Sequence, residues 1–245
     1  MMNSGEKYLT FFKEQWVLLA AILSPIALIA FVFWGWQTYD GFAASQRRMK
    51  LALIDDQKDK VDRDLSAQIE KLNTELTAVG EAQDLASLTK KEELQQQIDG
   101  SKPDYKEVIA AYRSFFEKHS KAAEGRIAGV RVAQIFMAAG DYSAAKDILA
   151  LIFQDGKLDL FYELHIRPMY AALLEEIGEY QEALQELNKI YTTLSTVDGL
   201  GSTVRIMKPK VLYAKARIGS ALGDSQIITE AVDLVTQSYP MSEEA

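Results

Sequence analysis

The side chains that could do chemistry in this chain are few. His119 and His165 are its only histidines, cysteine is absent, and acidic pairs occur at Glu92-Glu93 and Glu175-Glu176. Two histidines are too few for a histidine-rich metal site. The lack of cysteine removes a thiol nucleophile, a thiolate metal site and a disulfide scaffold. His119, in Glu117-Lys118-His119, reads as a solvated residue near a helix end, favoured there by the helix dipole. Acidic pairs of this kind ordinarily solvate a helix face. No Gly-rich phosphate loop, serine elbow or zinc-ligand spacing occurs. The expectation is therefore a chain that is no enzyme, with no catalytic residue, no metal site and no cofactor. What remains are groups that make surfaces, and these depend on the elements that carry them.

The most distinctive element is WVLLAAILSPIALIAFVFWGW, residues 16–36, which contains no charge. As a helix rising about 1.5 Å per residue it would span roughly 31 Å, against a hydrocarbon core about 30 Å thick. A soluble core helix would keep one polar face, and this segment has none. Trp16 at one end and Trp34, Trp36 and Tyr39 at the other match the aromatic belts found at headgroup level. Pro25 is tolerated inside a membrane helix. A cleaved signal would be shorter and would not end in bulky aromatics. The segment is therefore expected to be a permanent transmembrane helix, with 1–15 as a short N-terminal tail. Flanking charge leaves orientation open, because Arg47, Arg48 and Lys50 lie just beyond the segment while Lys7 and Lys13 are offset by Glu6 and Glu14.

The chain of 245 residues carries a net charge of −8. The charges before Trp16 cancel, so the excess of acid lies on the residues beyond the anchor. An acidic domain argues against nucleic acid as a partner and against lying flat on anionic lipid. From 37 to 102 the sequence is polar and charged, with apolar residues at Leu51, Ile54, Val61, Leu65, Ile69, Leu72, Leu76 and Val79. They fall mostly three or four apart, the spacing of one helical stripe. Gly80 interrupts the stripe, Leu85, Leu88, Leu94 and Ile98 resume it, and Gly100-Ser101-Lys102-Pro103 stops it. Two readings stand for 37–102: a helical spacer, broken or folded into a hairpin near Gly80, or a coiled coil that pairs with a partner or with a second copy in a homo-oligomer.

From 103 to 240 the pattern shortens and repeats, leaving 241–245 as a tail. RIAGVRVAQIFMAAGDYSAAKDILALI, HIRPMYAALLEEIGEYQEALQELNKI and KPKVLYAKARIGSALGDSQIITEAVDLV align on Gly140-Asp141, Gly178-Glu179 and Gly223-Asp224. An alanine stands seven residues before each glycine: Ala133, Ala171 and Ala216. Ala145, Ala183 and Ile228 stand five residues after it. Small residues let two antiparallel helices approach, and glycine ends the first of them, where positive φ is cheap. The acid after the glycine favours the next helix start. Such pairs bury their apolar faces only by stacking. YKEVIAAYRSFFEKHSKA, from Tyr105, reads as an orphan second helix.

The alanine, Gly-Asp/Glu-Tyr and later alanine pattern resembles the tetratricopeptide repeat. Tyr142 and Tyr180 stand as turn tyrosines, and the third copy departs with Ser225 and Ile228. The glycines are 38 and 45 residues apart, against about 34 in that repeat. The fold expected is all-α: an N-terminal transmembrane helix, a long helical spacer or coiled-coil segment, and a C-terminal tetratricopeptide-like helical solenoid. First helices of such repeats line a groove. Periodicity assigns to it Ile127, Val130, Gln134 and Met137 from the first copy, His165, Ala172, Glu175 and Glu176 from the second, and Tyr213, Arg217 and Ser220 from the third. Methionine and aliphatic side chains there suit varied apolar segments.

Taken with Tyr8-Leu9-Thr10-Phe11-Phe12-Lys13 and the Trp34-Gly35-Trp36 end of the anchor, the arrangement resembles the YfgM-type ancillary subunits of the bacterial Sec translocon. That resemblance implies an inner-membrane protein with 1–15 as a cytoplasmic tail and its domain in the periplasm. The partners it implies are translocon subunits, a periplasmic chaperone and exported polypeptides. The 51–102 stretch is longer than that family leads one to expect. A structural scaffold of a cell-envelope complex, assembled through the helical spacer, is the competing reading.

Overall fold

Helix formers run almost unbroken from the N-terminal residues to Ala78, and they form one helix, α1 (Ser4–Ala78). Next come α2 (Leu85–Gly100), α3 (Lys106–His119), α4 (Ala123–Ala138) and α5 (Tyr142–Gln154). A π-helical turn, Tyr162–Ile166, leads directly into α6 (Arg167–Glu176), and then come α7 (Tyr180–Thr196), α8 (Gly201–Leu222) and α9 (Ser225–Ser238). The computed structural model describes residues 4–79, 85–154, 158–197, 199–240 and 242, with 4–38 and 85 described for their helical backbone alone. No strand occurs among the described residues.

The chain divides into two units, Met1–Leu53 and Ile54–Ala245. The first holds the beginning of α1. The side chains of 16–36 lie outside the described residues, and with them Trp16, Trp34, Trp36 and the expectation of a membrane span. Among the described residues no helix is long and apolar enough to cross a membrane. Tyr39 is described and is 72% exposed.

In the second unit, successive helices pack on one another: α3 on α4, α4 on α5, α6 on α7, α7 on α8 and α8 on α9. The turns between partners repeat one device. Gly140, Gly178 and Gly223 take φ of +77, +80 and +70. Asp141, Glu179 and Asp224 donate their backbone N–H to the carbonyls of Phe136, Leu174 and Gly219 at 2.9, 2.8 and 2.8 Å. This is the six-to-one bond of a Schellman turn, which satisfies carbonyls that the helix end leaves free. The acids then diverge. Asp141 and Asp224 cap the next helix by accepting from the amides of Ala144 and of Gln226 and Ile227. Glu179 instead pairs with Lys146 of α5 at 2.5 Å.

The repeat alanines sit where helices meet. Ala133, Ala145 and Ala183 are fully buried and Ala171 is 2% exposed, while Ala216 is half-buried. Gly129 marks a closer approach that the alanine pattern does not reveal. A methyl added there would stand 3.1 Å from Phe116 of α3 and 3.2 Å from Ile152 of α5.

α3 is not an orphan. Its partner is the stretch of α1 just past Ile54. The hydroxyl of Tyr112 donates to Asp55 at 2.5 Å, Arg131 of α4 pairs with the same carboxylate oxygen at 2.5 Å, and Tyr105 donates to Asp62. The repeat unit thus begins with α1, and the boundary expected at 103 does not mark the start of the compact unit, which begins at Ile54. A helix supplied from far upstream leaves no local sequence signal.

The bond between Asp62 and Tyr105 also sets the shape of the segment between them. Beyond Asp62, α1 continues for about 24 Å at 1.5 Å per residue. α2 then lies on the way back to Tyr105, so the segment 63–104 is an arm closed at that bond. Leu65, Ile69, Leu72 and Leu76 on α1 are half-buried, as is Ile98 on α2, and Leu94 is 5% exposed. The connection 80–84 lies outside the described residues.

Candidate functional site

Two hollows open along the first helices of the pairs. The larger, about 540 Å³, has Ile127, Val130 and Gln134 of α4 as its floor. Lys58, Asp59 and Tyr105 wall one side, and Phe161, Tyr162 and Ile166 wall the other. The second, about 170 Å³, lies between α6 and α8 and is lined by Ala171, Ala172, Val211 and Ala214, with Glu175, Lys210 and Arg217 at its edge.

The π-helical turn shapes the larger hollow. Asp159 accepts from the amides of Phe161 and Tyr162 at 3.0 and 3.3 Å, starting the helix. One extra residue per turn then offsets the next helical face, a feature frequent at functional sites. Tyr162 is buried, donates to the carbonyl of Ala123 at 3.0 Å and has Arg126 over its ring. Phe161 is 53% exposed and packs against the His165 ring at 5.0 Å.

Just beneath the turn, Arg167 is buried and holds three helices. Both oxygens of Glu163 accept from it, Glu186 of α7 accepts from its third nitrogen, and its guanidinium lies 4.5 Å from the Phe153 ring centroid of α5. Burial would lower its pKa, but the Glu163 and Glu186 carboxylates outweigh that and hold the proton more tightly than usual.

At the root of the arm the electrostatics favour closure. The Lys58 ammonium, 2.6 Å away, and the Tyr105 hydroxyl hold the Asp62 carboxyl below its usual range. Burial, then the bond to Asp62, pushes the Tyr105 hydroxyl up to about 12. Tyr112 is raised by the same causes, with Asp55 in place of Asp62.

Of the groove residues assigned from periodicity, Ile127, Val130 and Gln134 line the larger hollow. Ala172, Glu175 and Arg217 line the smaller one. Val130 is only 7% exposed and offers just part of its side chain. Met137 is half-buried, Glu176, His165 and Ser220 are exposed, Tyr213 is 53% exposed, and none of these lines either hollow. His119 is half-buried, not solvated, because its ring packs on Phe115 at 4.8 Å. Phe161, Tyr162 and Ile166 escape the periodic reading because the π-turn breaks the period. Lys58 escapes it because it comes from α1. Among the described residues no group of three or more His, Asp or Glu could hold a metal ion.

Paired antiparallel helices joined by Schellman turns, with hollows along the first helices, define a helical-repeat scaffold. Residues 10–165 match the model of the tetratricopeptide repeat-like domain. The chain belongs to that family, whose domains generally bind protein partners. No curated protein and no solved structure matches it.

Proposed function

We propose that this protein is a membrane-anchored periplasmic interaction module, serving as an ancillary translocon subunit or chaperone adaptor for exported polypeptides. The larger hollow carries the reading. An opening of about 540 Å³ with Ile127, Val130, Ile135, Phe161 and Ile166 around it, and only a few charges, suits apolar segments of a partner chain. The uncharged stretch 16–36 supports anchoring in the inner membrane, and the resemblance to YfgM-type subunits supports the translocon as neighbour and the periplasm as compartment. In this reading the protein binds its partners and catalyses no reaction.

A scaffold role is the second reading, favoured by the arm. Leu88 on α2 is 50% exposed and the α1 stripe remains half-buried, so the arm has apolar surface to offer. Site-specific photo-crosslinking in cells separates the two, with probes at Ile29, Leu72 and Gln134. Translocon subunits at Ile29 and diverse exported chains at Gln134 are the expected products. A single fixed partner at Leu72, with no translocon subunit at Ile29, would replace the adaptor by the scaffold.

A further inference from the structure

The charge of this protein is unevenly placed. α8 reads GSTVRIMKPKVLYAKARIGSAL and carries Arg205, Lys208, Lys210, Lys215 and Arg217 without one acidic residue, in a chain of net charge −8. Ile206, Lys210, Tyr213 and Arg217 recur at helical spacing and share one face. All four are exposed, Ile206 to 57% and Tyr213 to 53%. This helix lies outside the residues that carry the family match.

We propose that this face of α8 is a docking surface for an acidic segment of a partner protein, with one aliphatic side chain of the segment entering the slot between α6 and α8. The inference rests on reading the chain as an interaction module and adds the chemistry of its partner.

Four observations fit together. The slot, about 170 Å³ and walled by Ala171, Ala172, Val211 and Ala214, is the size of a single aliphatic side chain. Lys210, which lines it, and Arg205, five residues earlier, are both exposed. Arg217 is held in place by both oxygens of Glu175, the second at 2.6 Å, and lies over the Tyr213 ring at 5.9 Å. Lys208 and Lys215 stand 5.2 and 5.4 Å from the Tyr191 ring centroid, adding positive potential behind the face. Glu175 offsets Arg217, so the exposed cations here are Arg205 and Lys210; with Ile206 and Tyr213 beside them they complement an acidic peptide with apolar anchors. A membrane of anionic lipid fits less well. A headgroup surface has no single side chain to place in a slot of about 170 Å³.

The test places a photo-crosslinking residue at Tyr213 in the full-length chain in cells and sequences the crosslinked peptides by mass spectrometry. Acidic segments containing an aliphatic residue are expected. Their yield should fall about fivefold in Lys210→Glu, as for loss of an ion pair worth about 1 kcal/mol, and should be unchanged in Lys71→Glu on the arm. Neutral or basic segments, lipid adducts, no adduct at all, or a yield indifferent to Lys210→Glu would overturn the proposal. A probe at Gln134 distinguishes the two levels. Protein captured there without acidic segments at Tyr213 defeats only the docking surface, whereas no protein at either position also defeats the interaction module.

Discussion

Asp55 does the work of two partners, accepting from both Tyr112 and Arg131. Tyr112 has no exposed surface, so losing that acceptor strands a buried hydroxyl. Asp55→Ala is expected to cost about 2 kcal/mol in chemical denaturation, and Asp55→Asn less, because the amide oxygen still accepts. The two linked tyrosines give a pH signature. A raised tyrosine pKa stabilises the fold fully below its ordinary value of 10, and this is lost as pH rises through the folded value, about 12 for Tyr105. Tyrosinate absorbance should therefore show a late-ionising fraction that shrinks in Tyr105→Phe and in Tyr112→Phe. Gly125 is a case where backbone leaves no room for a side chain. A methyl there would lie 2.0 Å from the carbonyl oxygen of His119. Gly-to-Ala inside a helix ordinarily stabilises by up to about 1 kcal/mol. Here Gly125→Ala should instead destabilise, by about 2 kcal/mol, as overpacking against backbone does.

The arm closed at Asp62 and the π-turn helix make this repeat domain unlike an ideal one. The arm closes at Asp62, whose carboxyl is held below its ordinary value of 3.8 by Lys58 and Tyr105. A depressed carboxyl stabilises the fold above its unfolded value and ceases to do so as pH falls through the folded one. Amide exchange across 63–100 should therefore accelerate below about pH 4, before α6 and α7 lose protection. An arm that stayed protected until global unfolding would contradict this account. In α6 the Arg167 cluster ties α5, α6 and α7, with the Arg167 and Glu186 side chains 9% and 11% exposed. Removing one member of a buried pair leaves the other charge behind, at a cost of about 3 kcal/mol or more. Arg167→Ala should lower stability by about that amount in denaturant titration, whereas Lys189→Ala, whose side chain is 55% exposed, should lower it far less.

The compact unit that begins at Ile54 makes a testable claim about the molecule. A fragment 54–245 keeps the α1 residues that cover α3 and should unfold cooperatively. A fragment 103–245 lacks them, and with them the Asp55 and Asp62 carboxylates that accept from Tyr112 and Tyr105. It should aggregate or melt well below the longer fragment in calorimetry. Equal stability of the two would show that α3 does not depend on α1.

The helical class, the three glycine turns and the alanine contacts were legible in the residues, because each is written locally. A Schellman turn needs a glycine at one position, and close helices need small side chains at fixed offsets. Ile127, Val130 and Gln134 line one hollow and Ala172, Glu175 and Arg217 the other, each residue on a helical face that the local spacing dictates. The partner of α3, the bond rooting the arm, and the aromatic wall at Phe161 and Tyr162 were not legible. They join residues tens of positions apart or come after a turn that breaks the helical period, and no local pattern encodes which distant surface a face will meet. That choice is made only when the buried areas, carboxylates and hydroxyls of the whole chain are satisfied together.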